Sequence, residues 1–376
     1  MSHDQIESAS DNLLAVPRYT LPEILQQPVL WPVTLEIVAA ASQQMQLARK
    51  LEGARVLLTG AGTSAYAASA VAAAWPRALA VPTTDLLADP ERYLTDVDFV
   101  FSLARSGNSP ESAAVVARIR LLRPGIQHFA IVCDEHGALS RSRLDGLIVL
   151  DPRTNDRSLV MTSAFSNLVL AGLALAQPDA TAAAVGELSA RTASLLPEID
   201  SACRRAAARV CDRIVVLSSS PLLGWQREAG LKTLEMTAGS FPLISETYLG
   251  LRHGPMSFLT PDTVVLCLLS SDKVRRRYEA DLIRELRAKK IGYLVGIAEA
   301  DDPESLFDLI IPAVAPATDD ALRTPFEILG PQLLGYHLSL RIGLNPDNPS
   351  PDGVINRVVS GVRIYPPHAF ETQGTV

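Results

Sequence analysis

Apolar residues in this chain gather in short runs, separated by longer stretches with helical spacing. The runs 55–59, 98–103, 126–132 and 146–150 come first; 213–217, 263–269, 291–297 and 306–311 follow. Most are apolar at both alternating positions, which predicts strands covered by helices on both faces of a parallel sheet. The two series correspond in order at a separation of about 160 residues, the mark of one α/β unit present twice. The expected layout is an N-terminal extension (1–52), a first domain (53–180), an alanine-rich helical linker (181–211), a second domain (212–344) and a tail (345–376). The tail opens on NPDNPSPDG, which cannot continue a helix.

Composition narrows the function classes. At 376 residues, 48% hydrophobic and 20% charged, the chain is long enough for two ordinary domains with a sizeable core. A net charge of −7 without blocks of like charge argues against nucleic acid or a membrane surface as partner. An anionic ligand would therefore be held by local donors. The four cysteines (Cys133, Cys203, Cys211, Cys267) form no CxxC pair, so free buried thiols are expected, with neither a disulfide framework nor a zinc site. The opening MSHDQIESAS has no basic start or apolar core, and every apolar stretch is interrupted by charges or prolines. The expectation is a soluble cytoplasmic protein without signal peptide or membrane span.

Two loops carry candidate anion chemistry, each placed between a strand and a helix, where open α/β sheets bind ligands. In Gly60-Ala61-Gly62-Thr63-Ser64 the glycines permit a sharp turn, and Thr63 and Ser64 offer hydroxyls and a cap for the next helix. In Ser106-Gly107-Asn108-Ser109-Pro110-Glu111-Ser112, Ser109 reads as N-cap and Pro110 as the first helical residue. Free N–H groups there, with the Ser106 and Ser109 hydroxyls, would cradle a phosphate without a lysine. Each loop alone also reads as a plain helix cap. Gly60-x-Gly62-x-x-Ala65 with Asp85 beyond it fits a loose dinucleotide fingerprint, which leaves the hydroxyl cluster at 106–112 unexplained.

Acid–base candidates lie in the second repeat. Glu228, Lys232 and Glu235 are spaced to share one helix face, as a surface salt-bridge stripe would also be. His253, in Leu251-Arg252-His253-Gly254-Pro255, sits in an irregular loop, where functional histidines occur but where a locally bonded one fits equally. A carboxylate and an imidazole together suit ring opening of a sugar and proton transfer between its first two carbons.

The phrases TGAGTSAYA (59–67), SLARSGNSPES (102–112), MTSAF (161–165), EAGLKTLEMTAG (228–239), LRHGP (251–255) and NPDNPSPDGVINRVVSGVRIYP (345–366) resemble one family in that order. TLPEILQQPVLW (20–31) and PTTDLL (82–87) resemble it too. It is the tandem sugar-isomerase (SIS) family of tagatose-6-phosphate ketose/aldose isomerases and galactosamine-6-phosphate deaminases. The resemblance implies an α/β fold of two tandem SIS domains, each a mainly parallel sheet flanked by helices. It implies phosphate contacts from Ser64, Ser106 and Ser109, with Thr162 or Ser163 near the sugar. It implies Glu235 as the base at C2 with Lys232 nearby, His253 in ring opening, no cofactor or metal, and a homo-oligomer. Two positions depart from the related glucosamine-6-phosphate synthase. Ala104 stands where that enzyme has a serine, and its substrate-reaching tail lysine has only Arg357 as counterpart. The chain also has no cysteine before Cys133 to serve that enzyme's glutaminase chemistry. The implied activity is conversion of galactosamine-6-phosphate to tagatose-6-phosphate and ammonia. An aldose–ketose isomerase or a sugar-phosphate sensor stands as the alternative.

Overall fold

The structure, a computed structural model, describes residues 16–209, 211–299, 305–350 and 352–365. The reading of the opening decapeptide lies outside these residues.

Among the described residues, ten strands form two all-parallel five-stranded sheets of identical order. The first comprises β1 (Val56–Gly60), β2 (Ala78–Pro82), β3 (Phe99–Ala104), β4 (Gln127–Val132) and β5 (Gly146–Val149), arranged β2-β1-β3-β4-β5. The second comprises β6 (Arg213–Ser218), β7 (Leu243–Thr247), β8 (Thr263–Leu268), β9 (Tyr293–Ala298) and β10 (Leu309–Pro312), arranged β10-β9-β8-β6-β7. The orders coincide when β1 is laid on β6, so the repeat read from the apolar runs is a repeat of topology. The central strands β1, β3 and β8 are buried at every position, as strands covered on both faces must be. The chain reverses its winding direction between β1 and β3, and again between β6 and β8. Their carboxyl ends are therefore the switch points where such sheets hold ligands.

The helices that matter for the site are α1 (Gln27–Met45), α2 (Thr63–Ala74), α3 (Pro110–Leu122), α4 (Ser163–Ala176) and α5 (Pro178–Ala208). They continue with α6 (Leu223–Met236), α7 (Lys273–Lys289), α8 (Asp320–Glu327) and α9 (Leu329–Arg341). The largest core cluster takes residues from both repeats, Leu58, Phe101 and Phe129 from one and Ile214, Val216 and Leu266 from the other. Each such fully buried aliphatic side chain stabilises the fold by about 1.5–3 kcal/mol.

One contact in that shared core positions the site. Gly224 on α6 lies so close to α2 that a Cβ there would meet Ala70 at 2.7 Å. The missing side chain lets the two helices approach, one from each repeat, and brings Thr63 at the start of α2 against the polar face of α6. A Gly224→Ala change would force them apart.

Candidate active site

A cavity of about 420 Å³ opens at the carboxyl ends of β1 and β3. Residues 61–64 and 103–107 line it, together with Ser109, Ser112, Glu235 and the tail residues 354–360. Ser64, Ser106, Ser109, Glu235 and Arg357 all line this one cavity.

The loops are shaped by backbone demands that glycine meets. A Cβ at Gly60 would lie 2.5 Å from the Ser64 backbone, and Gly107 has φ of 62° with Leu139 packed against it. The hydroxyls behave differently from plain caps. Ser109 is the N-cap of α3 and Pro110 opens the helix, but the Ser109 hydroxyl pairs with that of Ser112 at 2.7 Å. No side chain caps the first turn of α3 or of α2; the N–H groups of Ser64 and Ala65 turn to the carbonyls of Ala61 and Gly62, and that of Ser112 to Ser109. Thr63, expected as a cap, turns its hydroxyl to Glu228 at 3.3 Å instead.

The stripe on α6 is no surface feature. The side chains of Glu228 and Lys232 are fully buried, and only Glu235 keeps 23% exposure, toward the cavity. The Lys232 ammonium lies 2.5 Å from Glu235 Oε2, 3.1 Å from Thr63 Oγ1 and 3.4 Å from Glu228 Oε1. Burial alone would lower Lys232, but Glu228 and Glu235 outweigh it and hold the ammonium above its ordinary value. Burial pushes Glu228 up to about 8, with Glu235 adding to the rise and Lys232 opposing it.

Three expected site residues lie elsewhere. Thr162 and Ser163 are fully buried, and Asp156 takes their N–H groups at 2.7 and 3.1 Å and that of Ala164 at 2.9 Å. Asp156 thus caps α4 and holds both residues away from the cavity. Burial and the nearby Glu23 push Asp156 up to about 7. His253 is exposed, in the turn after the short helix Tyr248–Leu251, and lines no part of the cavity of its own chain.

Arg105 was missed from the sequence, although an arginine inside a hydroxyl-rich loop was a usable signal. It lines the cavity at 6% exposure. It donates to the carbonyls of Ser158 at 3.2 Å, Leu159 at 3.0 Å and Arg357 at 2.6 Å. Burial and the neighbouring Arg357 guanidinium push it below its ordinary value, against Asp156 and Glu235. The Arg357 guanidinium itself bonds the Asp156 carbonyl at 2.5 Å and Asn155 Oδ1 at 2.7 Å. The two arginines strap the tail across the cavity mouth. Among the described residues no cluster of three His, Cys, Asp or Glu is arranged to hold a metal ion, and no helix is long and apolar enough to cross a membrane.

No family model matches the chain. The D-galactosamine-6-phosphate deaminase AgaS of a Shewanella species is 34% identical over 93% of this chain and 92% of its own length. A Streptomyces coelicolor protein provisionally given the same name is 37% identical over 92% of this chain and 95% of its own. The chain belongs to the galactosamine-6-phosphate deaminase (AgaS) family. In solved structures the family fold recurs in the tagatose-6-phosphate ketose/aldose isomerase of Escherichia coli. That structure has a TM-score of 0.81 at 28% identity, covering 94% of this chain and all of the other. The two parallel five-stranded sheets are thus the tandem SIS architecture of the family.

Proposed function

We propose that the chain deaminates and isomerises galactosamine-6-phosphate, giving tagatose-6-phosphate and ammonia. The observation that carries this reading is a carboxylate, Glu235, facing a cavity whose other described polar lining is hydroxyls, Asn356, two arginines and helix starts without side-chain caps. The activity named for the relatives agrees with it.

In this reading the phosphate lies among Ser64, Ser106 and Ser109, held by hydroxyls at the starts of α2 and α3. Arg105 supplies positive charge beneath it. Binding the remote phosphate orients the sugar so that C2 lies over Glu235. After ring opening Glu235 takes the C2 proton and the carbonyl oxygen at C1 gains one, leaving an enolamine. Proton return to C1 gives the ketose imine, and water adds to C2 and expels ammonia. Atoms balance as aminosugar phosphate plus water giving ketose phosphate plus ammonia. Lys232 steadies the Glu235 carboxylate from behind. No step draws on a metal or cofactor, and we place the reaction in the cytoplasm, where reduced thiols and phosphorylated sugars coexist.

The test is ammonia release from galactosamine-6-phosphate with EDTA present. Glu235→Gln is expected to lower kcat by about 10²–10⁴, the usual worth of a general base. The sugar phosphate should still raise the variant's melting temperature. Binding without ammonia release from the unaltered protein would sink the deaminase reading and favour an aldose–ketose isomerase or a sensor.

His253 faces solvent, so its part in ring opening would be played in the cavity of a second copy, which makes the working unit an oligomer. Mixing the two inactive variants Glu235→Gln and His253→Ala, with subunit exchange allowed, should then restore part of the activity. No recovery in a mixture shown to contain hybrids would remove His253 from the chemistry.

A further inference from the structure

Glu228, at the buried end of the α6 stripe, has no part in the steps above, yet its geometry is coupled to them. Glu228, Lys232 and Glu235 share one face of α6, and one ammonium serves two carboxylates. Glu235 takes the short contact of 2.5 Å, while Glu228 stands at 3.4 Å. Glu228 is fully buried, its Oε1 receives the Thr63 hydroxyl, and its Oε2 meets no donor among the described residues. A carboxylate is costly to keep charged in such a place, and Lys232 is the cation within reach.

We propose that Glu228 is a positioning residue for the reaction: when charged, it draws the Lys232 ammonium off Glu235 and frees that carboxylate to take the substrate proton. This rests on the reading of Glu235 as the base. The raised position of Glu228, about 8, puts the switch within reach of experiment.

Other charges around the trio are engaged elsewhere. Arg105, from the loop after β3, is the remaining charge acting on Lys232. On α8, Arg323 pairs with Asp320 at 3.0 Å and with Glu327 at 3.3 Å. On α9, His337 pairs with Asp200 at 2.7 Å, and Tyr336 lies near Asp347 and Asp200. On β7, Glu246 accepts the Thr247 N–H at 2.7 Å, and on β6 Arg213 pairs with Asp212 at 2.9 Å. Thr63 on α2 contributes a hydroxyl without charge.

The experiment compares kcat and KM of the full chain and of Glu228→Gln between pH 6 and 9.5. The unaltered protein should show kcat rising through a step near pH 8. Glu228→Gln should lack the step and fall about ten-fold below it at pH 9, with KM unchanged because residue 228 touches no substrate. Superimposable profiles would overturn the proposal, since a merely structural glutamate leaves the profile alone. Carboxyl-labelled glutamate NMR reads the same coupling without turnover. The Glu235 resonance should move with the step near pH 8 in the unaltered protein, and a resonance that stays still there overturns the proposal even if no ammonia is released. Absent turnover with a moving resonance would instead fault the deaminase reading alone.

Discussion

At the ends of β1 and β3 the loops turn their hydroxyls and uncapped helix starts into a cavity. At the equivalent ends of β6 and β8 the protein meets similar donors with its own carboxylates. Asp272 caps α7 through the N–H groups of Val274 at 3.0 Å and Arg275 at 2.9 Å, whereas α3 has no side-chain cap. Glu279 takes the Ser270 N–H at 2.7 Å. Asp320 takes the Ser271 N–H at 2.8 Å and the Ser270 hydroxyl, and is itself gripped by Arg323 and Arg275. Burial works against the Asp320 charge, but the Ser270 hydroxyl, the Ser271 N–H and Arg323 hold its carboxyl below its ordinary range. Both sheet ends present donors that call for an anion. In the proposed reading one repeat leaves them for the sugar phosphate, while the other fills them with side chains, so a duplicated fold need not give duplicated binding.

The largest effect should come from taking the internal anion away. Asp320→Ala takes from Arg323, which is 2% exposed, the shorter of its two carboxylate partners, leaving Glu327 at 3.3 Å, and leaves the Ser271 N–H without its acceptor. Breaking one partner of a buried ion pair costs about 3–5 kcal/mol, to be read from urea unfolding. KM for the sugar phosphate should not move, because Asp320 lines no part of the cavity. Added formate should recover stability in Asp320→Ala and do little for the unaltered protein. Unchanged stability, or no response to formate, would mean that the second sheet end does not require an anion.

How far the sequence revealed these two ends depends on where each residue sits. The central strands were legible because burial on both faces writes itself as an unbroken apolar run. The edge strands β2 (ALAVP) and β7 (LISET) were not. They occupy the same place in the two sheets, half-exposed, and small or polar residues carry no such run. Glu235 and Lys232 were legible from helical spacing, but spacing could not tell a buried trio from a surface stripe. That distinction depends on Thr63, brought across by the Gly224 contact between helices of different repeats. The same limit applies to Thr162 and Ser163, which the family resemblance set near the sugar, while in the fold Asp156 engages both. His253 lies in an irregular loop as expected, yet the direction that loop faces is settled by packing, which local sequence does not record.

A smaller effect should follow from giving the first sheet end the arrangement of the second. Ser106 is a buried residue of the cavity wall, and its hydroxyl accepts the Asn108 N–H at 3.3 Å. Ser106→Asp keeps an acceptor for that N–H and sets a carboxylate where Asp320 sets one in the other repeat. Like charges a few ångströms apart in a partly desolvated cavity repel by a few kcal/mol, so KM should rise about 100-fold, worth about 2.7 kcal/mol. Ser106→Asn, of nearly the same shape and without charge, should raise KM by less than about ten-fold, since it disturbs a single neutral hydrogen bond. The neighbouring guanidinium of Arg105 should partner the new carboxylate and keep the folded state from losing stability. If Asp and Asn at position 106 weaken binding equally, the loop recognises shape rather than anionic charge, and the contrast between the two sheet ends loses its electrostatic basis.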